Sequence, residues 1–260
     1  MPPTAAPDDL GHPVALPTRV TRVVSLVPSL TEALASIDAD AVVGATDWCT
    51  HPPDLAATRV RGTKNPDLAS IRALAPEVVV CTKEENRELD VRRLRESGVA
   101  VWVTDHDTVP DAVASMERLV DALGWARPDW LAQARADWCG PLPAVTHRVV
   151  LPIWRDPWMV VGGTTFTGDL LRRLGWENLG ATLGDRYPGT DPAGIAALSP
   201  DVVLLPDEPY VFTADDGPEA LDGLPTVGLS GRLLTWYGPS LAEVAAWRGR
   251  DPRECGPTWS

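Results

Sequence analysis

Phenylalanine occurs only twice in this 260-residue chain and tyrosine three times, whereas tryptophan occurs eleven times. An indole carries an N–H that needs a partner, so Trp is a costly default core filler. The imbalance points to aromatic surface kept for binding, or to Trp used in helix contacts. Cationic charge is also short: 23 Lys and Arg face 36 Asp and Glu, a net charge of −13. A field of that sign repels phosphate backbones and anionic bilayers, which excludes nucleic acid as a partner. Eighteen consecutive apolar residues occur nowhere, so no membrane insertion is expected. The four cysteines (Cys49, Cys81, Cys139 and Cys255) are far apart and form no C-x-x-C pair. Reduced thiols are the simplest reading. The first twenty residues, MPPTAAPDDLGHPVALPTRV, contain no Lys/Arg n-region, apolar h-region or lipid-bearing Cys. On that ground a cytoplasmic location is expected.

What is present is an α/β alternation. Short continuous apolar runs at 22–27, 41–45, 77–81 and 99–103 read as strands buried on both faces. Helices are expected between them: one from 28 behind a Ser29/Glu32 capping box, one at 68–74, and one at 87–97 stopped by Gly98. Residues 108–123 repeat apolar positions at three and four behind a Thr108/Asp111 cap, and 127–138 can form a second helix. After the Pro-rich GPLPAV at 140–145 the pattern restarts. Strands are expected at 148–153, 158–162, 201–205 and 225–229, and helices at 164–175, 192–198 and 239–247, the last behind Ser240/Glu243.

The restart is a copy. IRALAPEVVVCTKEE at 71–85 matches IAALSPDVVLLPDEP at 195–209, and RVVSLV at 22–27 matches RVVLPI at 148–153. Ile71 to Ile195 is an offset of 124 residues, and Arg22 to Arg148 one of 126. Agreement in order, length and offset favours duplication over chance likeness of parallel-sheet units. The expected fold class is α/β, with two Rossmann-like lobes of mainly parallel sheet joined by a helical linker and a ligand cleft between the lobes. The expected division is a flexible tail at 1–19, an N-terminal lobe at 20–107, connecting helices at 108–145, a C-terminal lobe at 146–250 and a tail at 251–260.

The stretches RVVSLVPSLTE, NPDLASIRALAPEVVV and GVAVWV, with the restart at RVVLPI, resemble the helical-backbone (class III) periplasmic binding proteins. Those proteins serve cobalamin and iron–siderophore ABC importers, and the resemblance covers about residues 20–247. It implies two Rossmann-like lobes tied by a rigid helix. It also implies one acid per lobe that docks on arginines of a membrane permease: Glu84, Glu85 or Glu88 in the first lobe, Glu208 in the second.

Ligands of open α/β sheets sit beyond the carboxyl ends of the strands, which singles out the loops there. Pro28 and Ser29 follow the first strand at a helix start. In TDWCTHPPD at 46–54, Trp48 is placed to stack on a flat chelate, while Cys49 and His51 are weak candidates for a metal or a nucleophile–base pair. RGTKNPD brings Lys64 and Asn65 to the rim, and the loop after the third strand brings Glu84, Glu85 and Asn86. Glu84 and Glu208 correspond at an offset of 124 residues, and an acid–base pair is the alternative to docking or solvation. The second half offers Trp154, Arg155, Trp158, Phe166, Tyr210, Phe212, Arg232, Trp236 and Tyr237. GGTTFTG lacks the full glycine and Lys-Ser/Thr patterns of a nucleotide cradle.

The expectation is a monomeric, non-catalytic substrate-binding protein with no covalent cofactor. Cobalamin is its first ligand, an iron–siderophore or haem its second, and an ABC permease its partner. The alternative from another class is a cytosolic enzyme, sensor or ligand-handling protein that reuses the binding fold.

Overall fold

The computed structural model describes residues 4–221 and 223–256. The chain forms two compact units. The first takes the chain up to Asp105, Ala112–Arg135 and Tyr237–Pro239; the second takes His106–Asp111, Ala136–Trp236 and the chain from Ser240. The expected connector at 108–145 is therefore no separate body, since most of it clusters with the first unit.

In chain order the first half carries β1 (Thr4–Pro7), β2 (Pro13–Leu16), β3 (Val23–Ser25), α1 (Pro28–Asp38), β4 (Val42–Ala45), β5 (Thr58–Arg59), β6 (Arg61–Gly62), β7 (Asn65–Pro66), α2 (Leu68–Ala73), β8 (Val78–Thr82), α3 (Glu88–Glu96), β9 (Val101–Thr104), α4 (Val109–Ala122) and α5 (Asp129–Trp138). The second half carries β10 (His147–Val150), β11 (Pro152–Trp154), β12 (Met159–Val160), α6 (Phe166–Leu174), β13 (Trp176–Asn178), α7 (Pro192–Ala197), β14 (Val202–Pro206), β15 (Thr226–Leu229), α8 (Gly231–Thr235) and α9 (Ser240–Val244).

The duplication is visible in the sheets. The first unit's sheet runs β5-β4-β3-β8-β9 and the second's runs β13-β10-β14-β15, every pairing parallel. With β3 matched to β10 and β8 to β14, the order around them is the same. The central strands are fully buried Val and Leu runs, as a sheet covered on both faces requires.

The copy extends to single atoms. The guanidinium of Arg22 donates to the carbonyls of Leu74 and Ala75, and that of Arg148 donates to Leu198 and Ser199, 124 residues further on. These are carbonyls left open at the ends of α2 and α7. The amide of Arg22 donates to Glu77 Oε2 at 3.1 Å, and that of Arg148 to Asp201 Oδ2 at 2.7 Å. Asp67 and Asp191 cap the two helices through their carboxylates. Ala75 at φ 46° and Ser199 at φ 52° both sit in the left-handed region, where a helix end usually places glycine. The repeated motif is thus a structural joint: a capped short helix, a left-handed residue, an arginine clamp and a buried strand.

Each unit has an outer strand whose free edge is covered by a chain end. Beyond β9 lies the β1–β2 hairpin, so residues 4–16 are no loose tail; residues 1–3 of that expectation lie outside the described residues. The Asp9 amide donates to the Val103 carbonyl at 3.1 Å, and the Asp105 amide to Asp9 Oδ2 at 3.1 Å. Asp8, only 4% exposed, accepts from the amides of Leu10, His12 and Val103 and from Arg95 at 2.7 Å. Asp9 is also held by Ser115 and by Arg118 at 2.6 Å. In the second unit, residues 251–256 lie on β15: a Cβ on Gly256 would sit 1.9 Å from the Gly228 carbonyl oxygen. Only 257–260 of the expected second tail lie outside the described residues. Capping a sheet edge removes a template for pairing with other chains.

Two expected capping boxes differ. Pro28 takes the first helical position of α1 with Val27 as its cap, so Ser29 lies inside the helix. Ser240 likewise falls within α9 and donates to the Trp236 carbonyl. The Thr108/Asp111 box forms as expected, with the Asp111 amide donating to Thr108 Oγ1 at 3.2 Å and that hydroxyl to Asp111 Oδ2 at 2.7 Å.

Two outcomes follow for stability. Asp8→Ala strips the acceptor from three amides and Arg95, and is expected to cost about 2–4 kcal/mol in urea denaturation. Exposed Asp215→Ala changes stability by less than about 0.5 kcal/mol. Ala75→Gly and Ser199→Gly relieve left-handed strain, and each is expected to gain about 0.5–1 kcal/mol by the same measurement. A loss at both positions contradicts the clamp-and-joint reading.

Candidate functional site

The parallel strands of each unit end on one side, and the loops there carry the candidate side chains. In the first unit these are residues 27–29 after β3, 46–54 after β4, 83–87 after β8 and the turn between β6 and β7. The Asp47 amide donates to the Arg61 carbonyl at 2.9 Å, which lays the loop after β4 against the β6–β7 hairpin. Trp48 comes to rest beside Gly62: a Cβ there would lie 3.3 Å from the indole nitrogen and 2.5 Å from Asn65 Oδ1. The indole is backed by the hairpin and remains 68% exposed.

Most other candidates in this unit are committed to holding the loops. Asn86 is buried; its amide nitrogen donates to the Thr63 carbonyl at 3.0 Å and its oxygen accepts from the Thr82 amide at 2.9 Å. It stitches three loops and offers no ligand contact. Lys64 reaches the Glu84 carbonyl at 2.9 Å and joins the hairpin to the loop after β8. Pro28 and Ser29 form the packed first turn of α1. Glu84 and Glu88 are exposed and Glu85 is half-buried.

Cys49 departs from its expectation. It is fully buried, with its sulfur 3.0 Å from Thr31 Oγ1 and 3.1 Å from Thr46 Oγ1. Burial pushes the thiol above its ordinary value, against two threonine hydrogen bonds that work the other way. A nucleophile or metal ligand needs the thiolate, and this site suppresses it. His51 lies half-buried, with Nδ1 3.1 Å from Thr50 Oγ1. Among the described residues no three His, Cys, Asp or Glu side chains group as a metal site. The Cys49/His51 pair is therefore withdrawn as a metal or catalytic candidate.

Tyr237 belongs to the first unit and is buried, with its hydroxyl among Ser29, Thr82 and Thr104 at the ends of β8 and β9. Desolvation pushes the phenol well above its ordinary range. Its position in a loop before the last helix suggested a surface ring; it is instead a polar plug.

In the second unit the aromatic candidates form one connected stack. Trp158 and Phe212 stack at 5.8 Å, Phe212 and Tyr210 lie 4.7 Å apart, and Tyr210 meets Trp154 edge-on at 5.6 Å. Trp158 and Phe212 are buried; Trp154 is 44% exposed and neighbouring Val211 63%. Arg155 lies over Trp158 at 5.7 Å and pairs with Glu219 at 2.5 Å and with Asp216. These acids raise the Arg155 pKa, Glu219 first, so the guanidinium stays charged and already paired, and is no open receptor for a ligand carboxylate. The Tyr210 hydroxyl donates to Asp216 Oδ2 at 2.7 Å, and that bond holds the phenol protonated. The residues missing from the sequence reading are the supports: Asp216 and Glu219 here, and Thr31, Thr46, Thr82 and Thr104 in the first unit. A lone Asp gives no sign in the sequence of a partner as far off as the 61 residues between Asp216 and Arg155.

The remaining candidates are buried or half-buried. Phe166 is buried edge-on to His106, Trp236 is buried, Arg232 is half-buried and paired with Glu243 at 2.7 Å, and Glu208 is half-buried. GGTTFTG is filled by its own chain: the amides of Gly162, Gly163 and Thr164 donate to the carbonyls of residues 184–186 at 2.7–3.1 Å. A Cβ on Gly162 would lie 2.5 Å from two of those oxygens. Those three amides are committed to their own chain and cannot cradle a phosphate.

No family model matches this chain. A vitamin B12-binding protein of Salmonella paratyphi A is 27% identical over 199 residues, 71% of each chain. The solved periplasmic vitamin B12 binding protein BtuF of Vibrio cholerae is 16% identical with a TM-score of 0.66, over 88% of this chain and 96% of that one. A periplasmic heme binding protein from Pseudomonas aeruginosa is 23% identical with a TM-score of 0.69, over 87% and 90%. In fold the chain is similar to these solved periplasmic binding proteins, and in sequence to the vitamin B12-binding protein. All three of these proteins carry binding-protein names. The cytoplasmic location expected from residues 1–20 is overturned, because both solved neighbours are periplasmic.

The thiols give a check on the buried chemistry. Burial pushes Cys81 up to about 12, and Cys49 is raised as well. The folded state therefore keeps protons that the unfolded chain releases above the ordinary thiol value of 9.0. Stability from these groups is full below that value and falls as pH rises through it. Iodoacetamide at pH 8 is expected to spare Cys49 and Cys81 in the native protein and to label both in urea, read by peptide mass spectrometry. Native labelling of Cys49 contradicts its burial.

Proposed function

We propose that this chain is the substrate-binding component of an ABC importer and captures a bulky planar metal chelate, cobalamin first and haem or an iron–siderophore second. The observation that carries the reading is the pair Trp48 and Trp154. Of the aromatic residues in the carboxyl-edge loops, these are the large rings left exposed, 68% and 44%, and each is braced from behind. The relatives' names supply the ligand class, vitamin B12 for two and heme for the third.

The energies suffice. At about 25 cal/mol per Å² and roughly 150–250 Å² per ring, full cover of one aromatic is worth up to about 4–6 kcal/mol. That is half or more of the ~8 kcal/mol of a micromolar site. Polar contacts at the rim supply the rest, against the costs of association. No bond is made or broken in this role. Glu84 and Glu88, exposed on the loop after β8 and the first turn of α3, are the proposed permease-docking acids, with Glu208 their counterpart in the second unit. The protein acts as a monomer in this scheme.

Titration of purified protein with cyanocobalamin and with hemin, followed by tryptophan quenching and visible absorption, is expected to show saturable one-to-one binding of at least one. Trp48→Ala and Trp154→Ala should each weaken it by about tenfold or more. Trp130→Phe, on a half-buried indole hydrogen-bonded to Ser36, should leave it unchanged. Absence of binding to any cobalamin, haem or ferric siderophore contradicts the proposal.

A further inference from the structure

The two exposed indoles are held in different ways. Trp48 rests against backbone, beside Gly62. Trp154 rests against a side chain that other side chains tie down. We infer that Asp216 is a positioning residue of the second unit: it sets the pose of Trp154 through Tyr210, without itself meeting the ligand. The inference rests on the proposed function, since it takes Trp154 as a ligand-covering ring, and it adds the residue that holds the ring in place.

A side chain that meets a ligand is only as well placed as the residues behind it. β11 ends at Trp154, and its pairing with β12 shifts register between Pro152 and Trp154. The ring is thus carried at the end of a short, irregular strand. Its edge-on neighbour is Tyr210, 5.6 Å away at 77°. Tyr210 belongs to another element, the loop after β14, in which Val211, Thr213, Ala214 and Asp215 are exposed. The phenol is fixed there at both ends. Its ring lies 4.7 Å from that of Phe212, and its hydroxyl donates to Asp216 Oδ2 at 2.7 Å. Asp216 is held in turn: its carbonyl accepts from the Thr213 amide at 3.0 Å, and Oδ1 accepts from Arg155. Arg155 is the residue after Trp154.

The contacts therefore close on themselves. From Trp154 they pass to Tyr210, to Asp216, to Arg155 and by one peptide bond back to Trp154. A closed circuit holds each member from two sides. An opened one leaves the indole to be ordered on binding, which costs affinity. Asp216 is the link with a bond on either side, one carboxylate oxygen for each. The same bond raises the Tyr210 phenol above its ordinary value, with desolvation and the Asp216 charge adding to it. Glu219 meets Arg155 at 2.5 Å and takes the Gly217 amide at 2.5 Å. Replacing Asp216 thus opens the circuit without leaving Arg155 unpaired.

The test uses the full chain, with the first of cyanocobalamin, hemin and ferrioxamine that binds the parent as its probe. Asp216→Ala and Tyr210→Phe are each expected to weaken binding by about three- to tenfold, and to have no further effect in a Trp154→Ala background. Asp216→Asn keeps an acceptor oxygen for the phenol and should recover most of the loss. Asp215→Ala removes the same charge one residue away and should leave binding unchanged. Fluorine NMR of protein labelled with fluorotryptophan supplies a direct mark. The line that Trp154→Ala deletes should shift or broaden in Asp216→Ala and Tyr210→Phe, and the line that Trp48→Ala deletes should stay. Asp216 is 42% exposed, so melting should match the parent; Tyr210→Phe, which removes one oxygen, gives the answer if Asp216→Ala does not fold. Parent-like binding in Asp216→Ala and Tyr210→Phe, or equal losses with and without Trp154, overturns this inference and leaves chelate capture intact. Parent-like binding in Trp154→Ala overturns the proposed role of that ring, and this inference with it. If none of the three probes binds, the proposed function falls and this inference falls too.

Discussion

Each unit depends on an arginine laid across a helix–strand joint. Arg22 and Arg148 bind the carbonyls that α2 and α7 leave open and, through their own amides, the acid that starts the next strand. A cation at a helix C-terminus also meets the negative end of the helix dipole. The joint fixes where β8 begins beside β3 and where β14 begins beside β10. Once those central pairs are in register, the strands of each sheet run parallel and end on the same side. The position of every candidate loop follows from that. The acid, the left-handed residue and the arginine are conspicuous in the repeat because they carry this geometry; their work is done at the amino ends of the strands, opposite the carboxyl-edge loops.

At the carboxyl ends the polar side chains are mostly spent on one another. Asn86 ties three loops, Lys64 joins two, and Arg155 gathers Asp216, Glu219 and Trp158. Such a surface is rigid before the ligand arrives, and rigidity in the bound geometry spares the ordering cost of association. The same economy limits what the surface can do. With thiol, phenols and guanidinium already paired, little reactive chemistry is presented, and flat hydrophobic cover is what remains. A groove of about 420 Å³ lined by Asp40, Val42, Pro52, Leu55 and Thr58 lies at the amino end of β4, the end that open α/β sheets do not use for ligands.

The buried strands and the duplication were legible because they are local patterns. An apolar run bounded by Pro and acids announces a covered parallel strand, and the same run at an offset of 124 residues announces it twice. The β1–β2 hairpin was not legible. Its sequence is rich in Pro and Ala and without period, and it is fastened by two aspartates to β9 and to Ser115 and Arg118 on α4, nearly a hundred residues away. The site was half legible. Position beyond a strand end marked the right loops, but it does not say whether a side chain points out or back. Trp48 and Trp154 point out; Cys49, Phe212, Trp158 and Tyr237 point back, each toward a partner that only the folded chain supplies. Ser29 misled for a smaller reason: the Pro before it, with its fixed φ, already opens the helix.

The central claim is that chelate capture uses the carboxyl-edge loops, marked by Trp48 in the first unit and by Trp154 in the second. Hydrogen–deuterium exchange with and without saturating cyanocobalamin tests it most directly. The account predicts added protection in residues 46–64, 152–158 and 206–217, with the arginine joints at 72–77 and 196–201 unchanged. Protection centred on the joints or on the groove beside Asp40, with none around Trp48 or Trp154, would contradict it.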